Sequence, residues 1–207
     1  MTIEQTIRNN VLLAVKQEQN EGFIPVAVSN RHVHLSKQAV ETLFGTGYML
    51  NKQKDLSQPG QFACEETVTL EGPKGNLKLR VLGPARSETQ VELSVTDARS
   101  VGIEPTLKLS GDLANTPGAT LLGPGGQITL NNGVIVAMRH VHMSARQAAV
   151  YKIKDGGTIN LRAEGKRGIV LENVVVRVGD GHDLELHLDF DEANCAMIQT
   201  GDLLKIV

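Results

Sequence analysis

The feature that most constrains this chain is a repeat. Val26-Ala27-Val28-Ser29-Asn30-Arg31-His32-Val33-His34-Leu35-Ser36 returns half the chain later as Val134-Ile135-Val136-Ala137-Met138-Arg139-His140-Val141-His142-Met143-Ser144. Each copy runs from an apolar strand through Arg-His-Val-His to an apolar residue and a serine. Two related units packed together follow from such a recurrence. In an extended segment residues i and i+2 share a face, so His32 and His34 present their rings to one side, as do His140 and His142.

The rest of the chain reads as short strands. Glycine is frequent, 21 of 207 residues, and sits among short Val/Ile/Leu-rich segments, which implies tight turns joining many strands. Strands are expected at 24–29, 66–70, 77–82, 90–95, 127–130, 134–137, 158–162, 170–178, 184–189 and 203–207. Pro73-Lys74-Gly75 and Asn131-Asn132-Gly133 form turns between them. Ser36 and Ser144 each cap a short helix, and Gln147 completes a capping box for the second. Without long helices in the body, βαβ architecture is disfavoured. The expected fold is mostly β: two small β-barrels related by the repeat and capped by short α-helices. Ahead of them, Thr2 and Gln5 open a helix in which Ile3, Ile7, Val11, Ala14 and Val15 recur at helical spacing over residues 3–17. A polar linker follows, and the apolar face of this helix either packs on its own domain or docks onto another protein.

Composition removes several function classes. Lys+Arg 21 against Asp+Glu 23 leaves a formal charge of −2, aromatics are 3% and Trp is absent, so a nucleic-acid partner is not expected. The apolar run from Val11 to Val15 is far too short for a bilayer, and polar Gln5, Thr6, Arg8, Asn9 and Asn10 break up any signal peptide, which points to the cytoplasm. Cys64 and Cys195 have no C-x-x-C partner and are expected to be free thiols, neither of them a metal ligand.

One His-x-His pair is weak evidence for a metal, but the second copy strengthens it. His187 adds a fifth histidine in the alternating strand Leu184-Glu185-Leu186-His187-Leu188-Asp189, whereas His182, beside Gly181 and Asp183, reads as a turn residue. The alternative is a strand-to-helix junction whose rings are buried and internally hydrogen-bonded. Imidazoles with a carboxylate suit Zn²⁺ or another borderline divalent ion, and the absence of cysteine from these motifs argues against a closed thiolate site. Glu92 is the best carboxylate candidate, and Arg86 offers a planar fork for phosphate or carboxylate. An ordinary exposed strand and turn is the other reading of that segment.

Ser29-Asn30-Arg31-His32-Val33-His34-Leu35-Ser36, Gly83-Pro84-Ala85-Arg86, Gln90-Val91-Glu92, Thr96-Asp97-Ala98-Arg99, Arg139-His140-Val141-His142-Met143-Ser144 and Asp191-Glu192-Ala193-Asn194 together resemble the PduL-type phosphotransacylases, the phosphate propanoyltransferases of bacterial microcompartments. The resemblance runs from about Ile24 to the C-terminus. It implies two β-barrels with interleaved limits, residues 21–30 with 138–207 in one and 31–137 in the other, behind an N-terminal segment of residues 1–20. It also implies two zinc ions per chain, one on His32, His34 and Glu92 near the coenzyme A sulfur, the other on His140, His142 and His187. Arg86 corresponds to the phosphate contact, and Ser29, Asn30, Lys74, Arg80 and Asn194 fall near coenzyme A contacts.

The activity implied is reversible acyl transfer between coenzyme A and inorganic phosphate, with propanoyl or a similar short chain. In the family an N-terminal helix like this one resembles an encapsulation peptide, which implies microcompartment shell or core proteins as partners, a location inside a bacterial microcompartment, and a homo-oligomer. Two other classes stay open on the residues alone: a zinc-dependent thioester hydrolase using the same ligands, and a metal-stabilised interaction module that turns over nothing.

Overall fold

The structure, a computed structural model, describes residues 22–207. The helix expected over residues 3–17 lies outside the described residues. Strand β1 (Phe23–Ser29) leads directly into β2 (His32–Ser36). Ser36 then caps α1 (Lys37–Phe44), its Oγ accepting from the Ala39 N–H at 3.1 Å. Next come β3 (Lys52–Asp55), β4 (Phe62–Gly72) and β5 (Gly75–Arg86), the last two joined by the expected turn at Pro73-Lys74. They are followed by β6 (Gln90–Glu92), α2 (Val95–Ser100), β7 (Leu107–Lys108), β8 (Ala119–Gly123), β9 (Gly126–Leu130) and β10 (Val134–Ala137).

The second motif copy supplies β11 (His140–Met143) and α3 (Ala145–Tyr151), with Ser144 and Gln147 forming the full capping box. The chain closes with β12 (Thr158–Ala163), β13 (Ile169–Val178), β14 (Glu185–Asp189), α4 (Phe190–Ala196) and β15 (Leu203–Ile206). Among the described residues no helix is long and apolar enough to cross a membrane.

Six strands close a barrel in the order β1-β14-β11-β13-β12-β15. The other nine form an open sheet, a half-barrel, in the order β7-β10-β6-β2-β5-β4-β8-β9 with β3 against β4. Each has its own core, because one face of every alternating strand is apolar. Val141, Met143, Leu161, Leu186 and Leu188 fill the barrel, and Val33, Leu35, Leu70, Leu79 and Val91 fill the half-barrel.

The repeat extends well beyond the motif. Strand β2 lies between β5, parallel, and β6, antiparallel; β11 lies in the same way between β13 and β14. The opening strands are exchanged: β1 pairs with β14, matching Val26 to Leu186, while β10 pairs with β6, matching Val134 to Val91.

One expected strand is shorter than its pattern. The alternation over 90–95 predicts continuous β structure, but β6 ends at Glu92, because the Ser94 side chain accepts from the Asp97 N–H at 3.1 Å and starts α2. A helix cap overrides the apolar alternation there. The same device, with Asp189 accepting from the Glu192 N–H at 2.9 Å, starts α4 after β14.

Candidate active site

Alternation aims the histidines. In β2, Val33 and Leu35 enter the half-barrel core, so His32 and His34 turn to the opposite face; in β11, Val141 and Met143 do the same for His140 and His142. Pairing then brings up the third donor. Glu92 is opposite His32 across β2 and β6, and His187 is opposite His140 across β11 and β14. The results are two triads, His32/His34/Glu92 and His140/His142/His187, each with its ligand-type atoms within 4.8 Å of one another.

The residues fit a divalent ion. His32 Nδ1 lies 2.8 Å from the Asn30 carbonyl and His140 Nδ1 lies 2.7 Å from the Met138 carbonyl; each nitrogen donates there, leaving Nε2 as a bare lone pair. His140 Nε2 lies 3.2 Å from His142 Nε2, and His32 Nε2 lies 3.4 Å from Glu92 Oε2. Two donors on a tetrahedral zinc, each about 2.0–2.1 Å from it, stand about 3.3 Å apart. All four motif histidines are buried, and no cysteine belongs to either triad.

Protonation states agree with this for three of the four motif rings, His32 being the exception. Burial, the neighbouring His32 and Arg86 push His34 down to about 3. Burial and His187 take His140 to about 4, and burial with His140 and His187 takes His142 to about 2. These three rings are neutral donors near neutral pH. Burial opposes charge on His32, but the Glu92 carboxylate beside it prevails and holds the ring above its ordinary value. Burial likewise opposes charge on Glu92, but His32 holds its carboxyl well below the usual range.

Both triads open into one cleft of about 840 Å³ whose walls come from both sheets. Arg86 joins them there, its Nη2 lying 2.9 Å from His34 Nε2 and its Nη1 3.5 Å from Ser110 Oγ. Among the described residues it forms no ion pair with a carboxylate. By contrast, the arginine that opens each motif is paired: Arg31 with Asp97 at 2.8 Å and Arg139 with Glu192 at 2.7 Å, both acids lying in the first turn of the helix after the third donor. Those ion pairs lock each motif to its neighbouring helix.

Ser29, Asn30 and Arg80 also line the cleft. Arg80 Nη1 donates to Gln53 Oε1 at 3.0 Å and to the Cys64 carbonyl at 2.8 Å. Lys74, in the β4–β5 turn, and Asn194, exposed on α4, stand outside the cleft lining. Cys64 is buried in β4 and burial pushes its thiol up to about 11; Cys195 is exposed.

Several residues in or beside the cleft escape sequence reasoning. His182 follows a turn, as its neighbours imply, but its ring packs 4.3 Å from that of His142. Arg177 lines the cleft from β13. Gln90 Nε2 donates to Glu92 Oε1 at 2.6 Å, and Glu185 lies 2.9 Å from His187. A signal for the last two exists in the parallel between Gln90-Val91-Glu92-Leu93-Ser94 and Glu185-Leu186-His187-Leu188-Asp189. In both segments polar and apolar residues alternate up to a helix cap.

Comparison with known proteins accounts for nearly the whole chain. The profile of the phosphate propanoyltransferase family matches residues 25–199. The chain is 50% identical over 191 residues to the phosphate propanoyltransferase of Thermotoga maritima, covering 91% of each protein. It is 50% identical over 184 residues to that of Rhodopseudomonas palustris, covering 88% of this chain and 81% of that one. To the phosphate propanoyltransferase of Salmonella typhimurium it is 46% identical over 196 residues, covering 94% and 93%. A match of this extent spans both triads and Arg86, and by it the chain belongs to the phosphate propanoyltransferase family of acyltransferases.

Proposed function

We propose that this chain interconverts propanoyl-CoA, or a similar short-chain acyl-CoA, and inorganic phosphate with the acyl phosphate and free CoA, using two zinc ions. His32, His34 and Glu92 would hold one ion near the CoA sulfur, and His140, His142 and His187 the other. The observation that carries this reading is the opening of two three-donor triads and the Arg86 guanidinium into a single cleft. A thioester and an inorganic anion can meet there.

When bound, such ions supply Lewis-acid stabilisation of charge on the carbonyl oxygen and on the departing sulfur. Arg86 holds phosphate through a bidentate fork and sets it beside the thioester carbon. A phosphate oxygen forms the new C–O bond, the C–S bond breaks, and CoA leaves as its thiolate. No protein nucleophile is needed, and Cys64, a buried thiol that burial and the Glu66 carboxylate keep protonated, is poorly placed to act as one. Ser29, Asn30 and Arg80 contact CoA from the cleft wall, while for Lys74 and Asn194 the family resemblance alone supports that role.

The test is thiol release from propanoyl-CoA with and without phosphate, on protein whose metal content is measured. Phosphate-dependent release with about two ions per chain is the expected result. Release that ignores phosphate identifies a hydrolase instead, and bound metal without any release identifies a non-catalytic module.

The same reading divides the chain into one unit of residues 21–30 with 138–207 and another of 31–137. It assigns residues 1–20 to docking with microcompartment shell or core proteins of the bacterial cytoplasm, and the protein to a homo-oligomer. The supports are the helical periodicity of residues 3–17 and the family resemblance. Deleting residues 1–20 should then leave acyl-transfer kinetics near wild type while reducing self-association or shell co-purification. A truncated protein that fails to fold or to bind metal makes the helix part of the core.

A further inference from the structure

We infer that Glu185 is a positioning residue for His187, and that the loop between β3 and β4 reaches across from the half-barrel to hold Glu185 in place. This rests on the metal reading above. Glu185 is buried on β14 two residues before His187, on the same face of the strand, and its Oε2 lies 2.9 Å from His187 Nε2. A carboxylate only accepts, so Nε2 carries the proton and the lone pair of the ring is reserved on Nδ1. Ring orientation and tautomer are thus set by one contact.

The carboxylate is itself fixed from the other unit. Ser57 Oγ donates to Glu185 Oε2 at 2.5 Å and Gln58 Nε2 donates to the same atom at 3.2 Å. Gln58 is only 3% exposed, and both ends of its amide are engaged: Nε2 also donates to the Asp183 carbonyl at 3.1 Å, and Oε1 accepts from the Asp183 N–H at 3.4 Å. A buried amide with every contact directed at the segment before His187 has a positional task.

The other triad carries the same device in complementary chemistry. Gln90 is opposite His34 as Glu185 is opposite His142, and each sits two residues before its triad's third donor. Where that donor is a carboxylate, Glu92, the neighbour is an amide that gives it an N–H at 2.6 Å. Where the donor is an imidazole, His187, the neighbour is a carboxylate that takes an N–H. Exchange of amide for acid follows the exchange of acid for imidazole.

The test measures zinc affinity by chelator competition on the full chain, with ¹⁵N NMR of the metal-free protein to read the His187 tautomer. Glu185→Ala should weaken one of the two ions by about 10–100-fold, the range for loss of such a partner, and leave the other unchanged. Glu185→Gln, whose amide oxygen still accepts, should restore part of that loss, and Gln58→Leu should produce a smaller one. If Glu185→Ala does not fold, Ser57→Ala and Gln58→Leu carry the affinity measurement. The wild-type ring should hold its proton on Nε2. Wild-type affinities retained in every variant, or a proton found on Nδ1, overturn the inference. A wild type that binds no zinc overturns the metal reading and this one with it, and is distinguished from failure of this one alone by the wild-type measurement itself.

Discussion

Arg86 Nη2 lies 2.9 Å from His34 Nε2, a cation that is held against a triad histidine and makes no direct ion pair among the described residues, with the Glu92 carboxylate acting on it from further off. Such a guanidinium, half-buried in the cleft lining, has the chemistry to receive an anion. Arg86→Lys replaces the planar fork with a point charge. We expect kcat/KM for phosphate to fall about 100-fold, in line with loss of a transition-state donor, while zinc content stays at the wild-type value. Steady-state kinetics with varied phosphate, beside elemental analysis, check this; unaltered kinetics would remove Arg86 from the site.

The two triads are separate donor sets, so metal loss should be local. Replacing His140 and His142 together with Ala should remove one ion per chain, spare the one held by His32, His34 and Glu92, and abolish most acyl transfer. Mass spectrometry of the native protein reads the stoichiometry directly. Full metal content in the double variant would show that the second triad holds nothing.

Glu192 gives a pH signature away from the triads. Its Oε1 meets Arg139, but its Oε2 is buried without a partner. Burial pushes its carboxyl up to about 7, with Arg139 opposing and Asp189 reinforcing the shift. Unfolded, the group loses its proton near 4.5, so between those two values the folded chain binds more protons and its stability falls as pH rises. Across that window the loss is on the order of 3 kcal/mol, and above it the contribution is constant. Urea unfolding of wild type and Glu192→Gln across this range should show a fall in the first that is flattened in the second; parallel curves would refute the assignment.

The two thiols should separate cleanly. Burial pushes Cys64 up to about 11, so little thiolate exists at mildly alkaline pH, whereas Cys195 is exposed on α4. A thiol reagent should modify one cysteine quickly in the native protein and both after denaturation. Cys195→Ser should abolish the fast phase without affecting acyl transfer. Rapid native labelling at Cys64 would mean that β4 opens far more readily than its packing implies.

The motif repeat made the histidine faces and both serine caps legible, because strand alternation and capping are local physics. Val134–Ala137 and the Ser144–Gln147 capping box appear where the sequence places them. Glu92 and His187 stood out as candidates on the residues themselves and the family resemblance implied them as ligands, but their partners across the strands are set by register, which a chain does not display locally. Helix α2 was hidden because Leu93 and Val95 continue the apolar alternation past the point where Ser94 takes over the backbone. Strands β3 and β7 were hidden for a different reason. Lys52–Asp55 is wholly exposed and polar and Leu107–Lys108 is two residues long, so neither bears a periodic signal. Gln58 and Glu185 became linked only through folding, since one belongs to a loop of the half-barrel and the other to a strand of the barrel.

The exchange of opening strands has a consequence for synthesis. Strand β1 leaves the ribosome among the first described segments, yet its partners β14 and β15 are among the last. The barrel cannot close until translation is nearly complete, and until then an apolar strand with unpaired edges waits beside a half-barrel that can already assemble most of its sheet. A ribosome that stalls after β10 would release a chain with one whole sheet, one orphan strand and a single donor triad. One wall of the cleft can therefore be finished long before the other, and the vulnerable interval of this protein's life is the time taken to translate its second half.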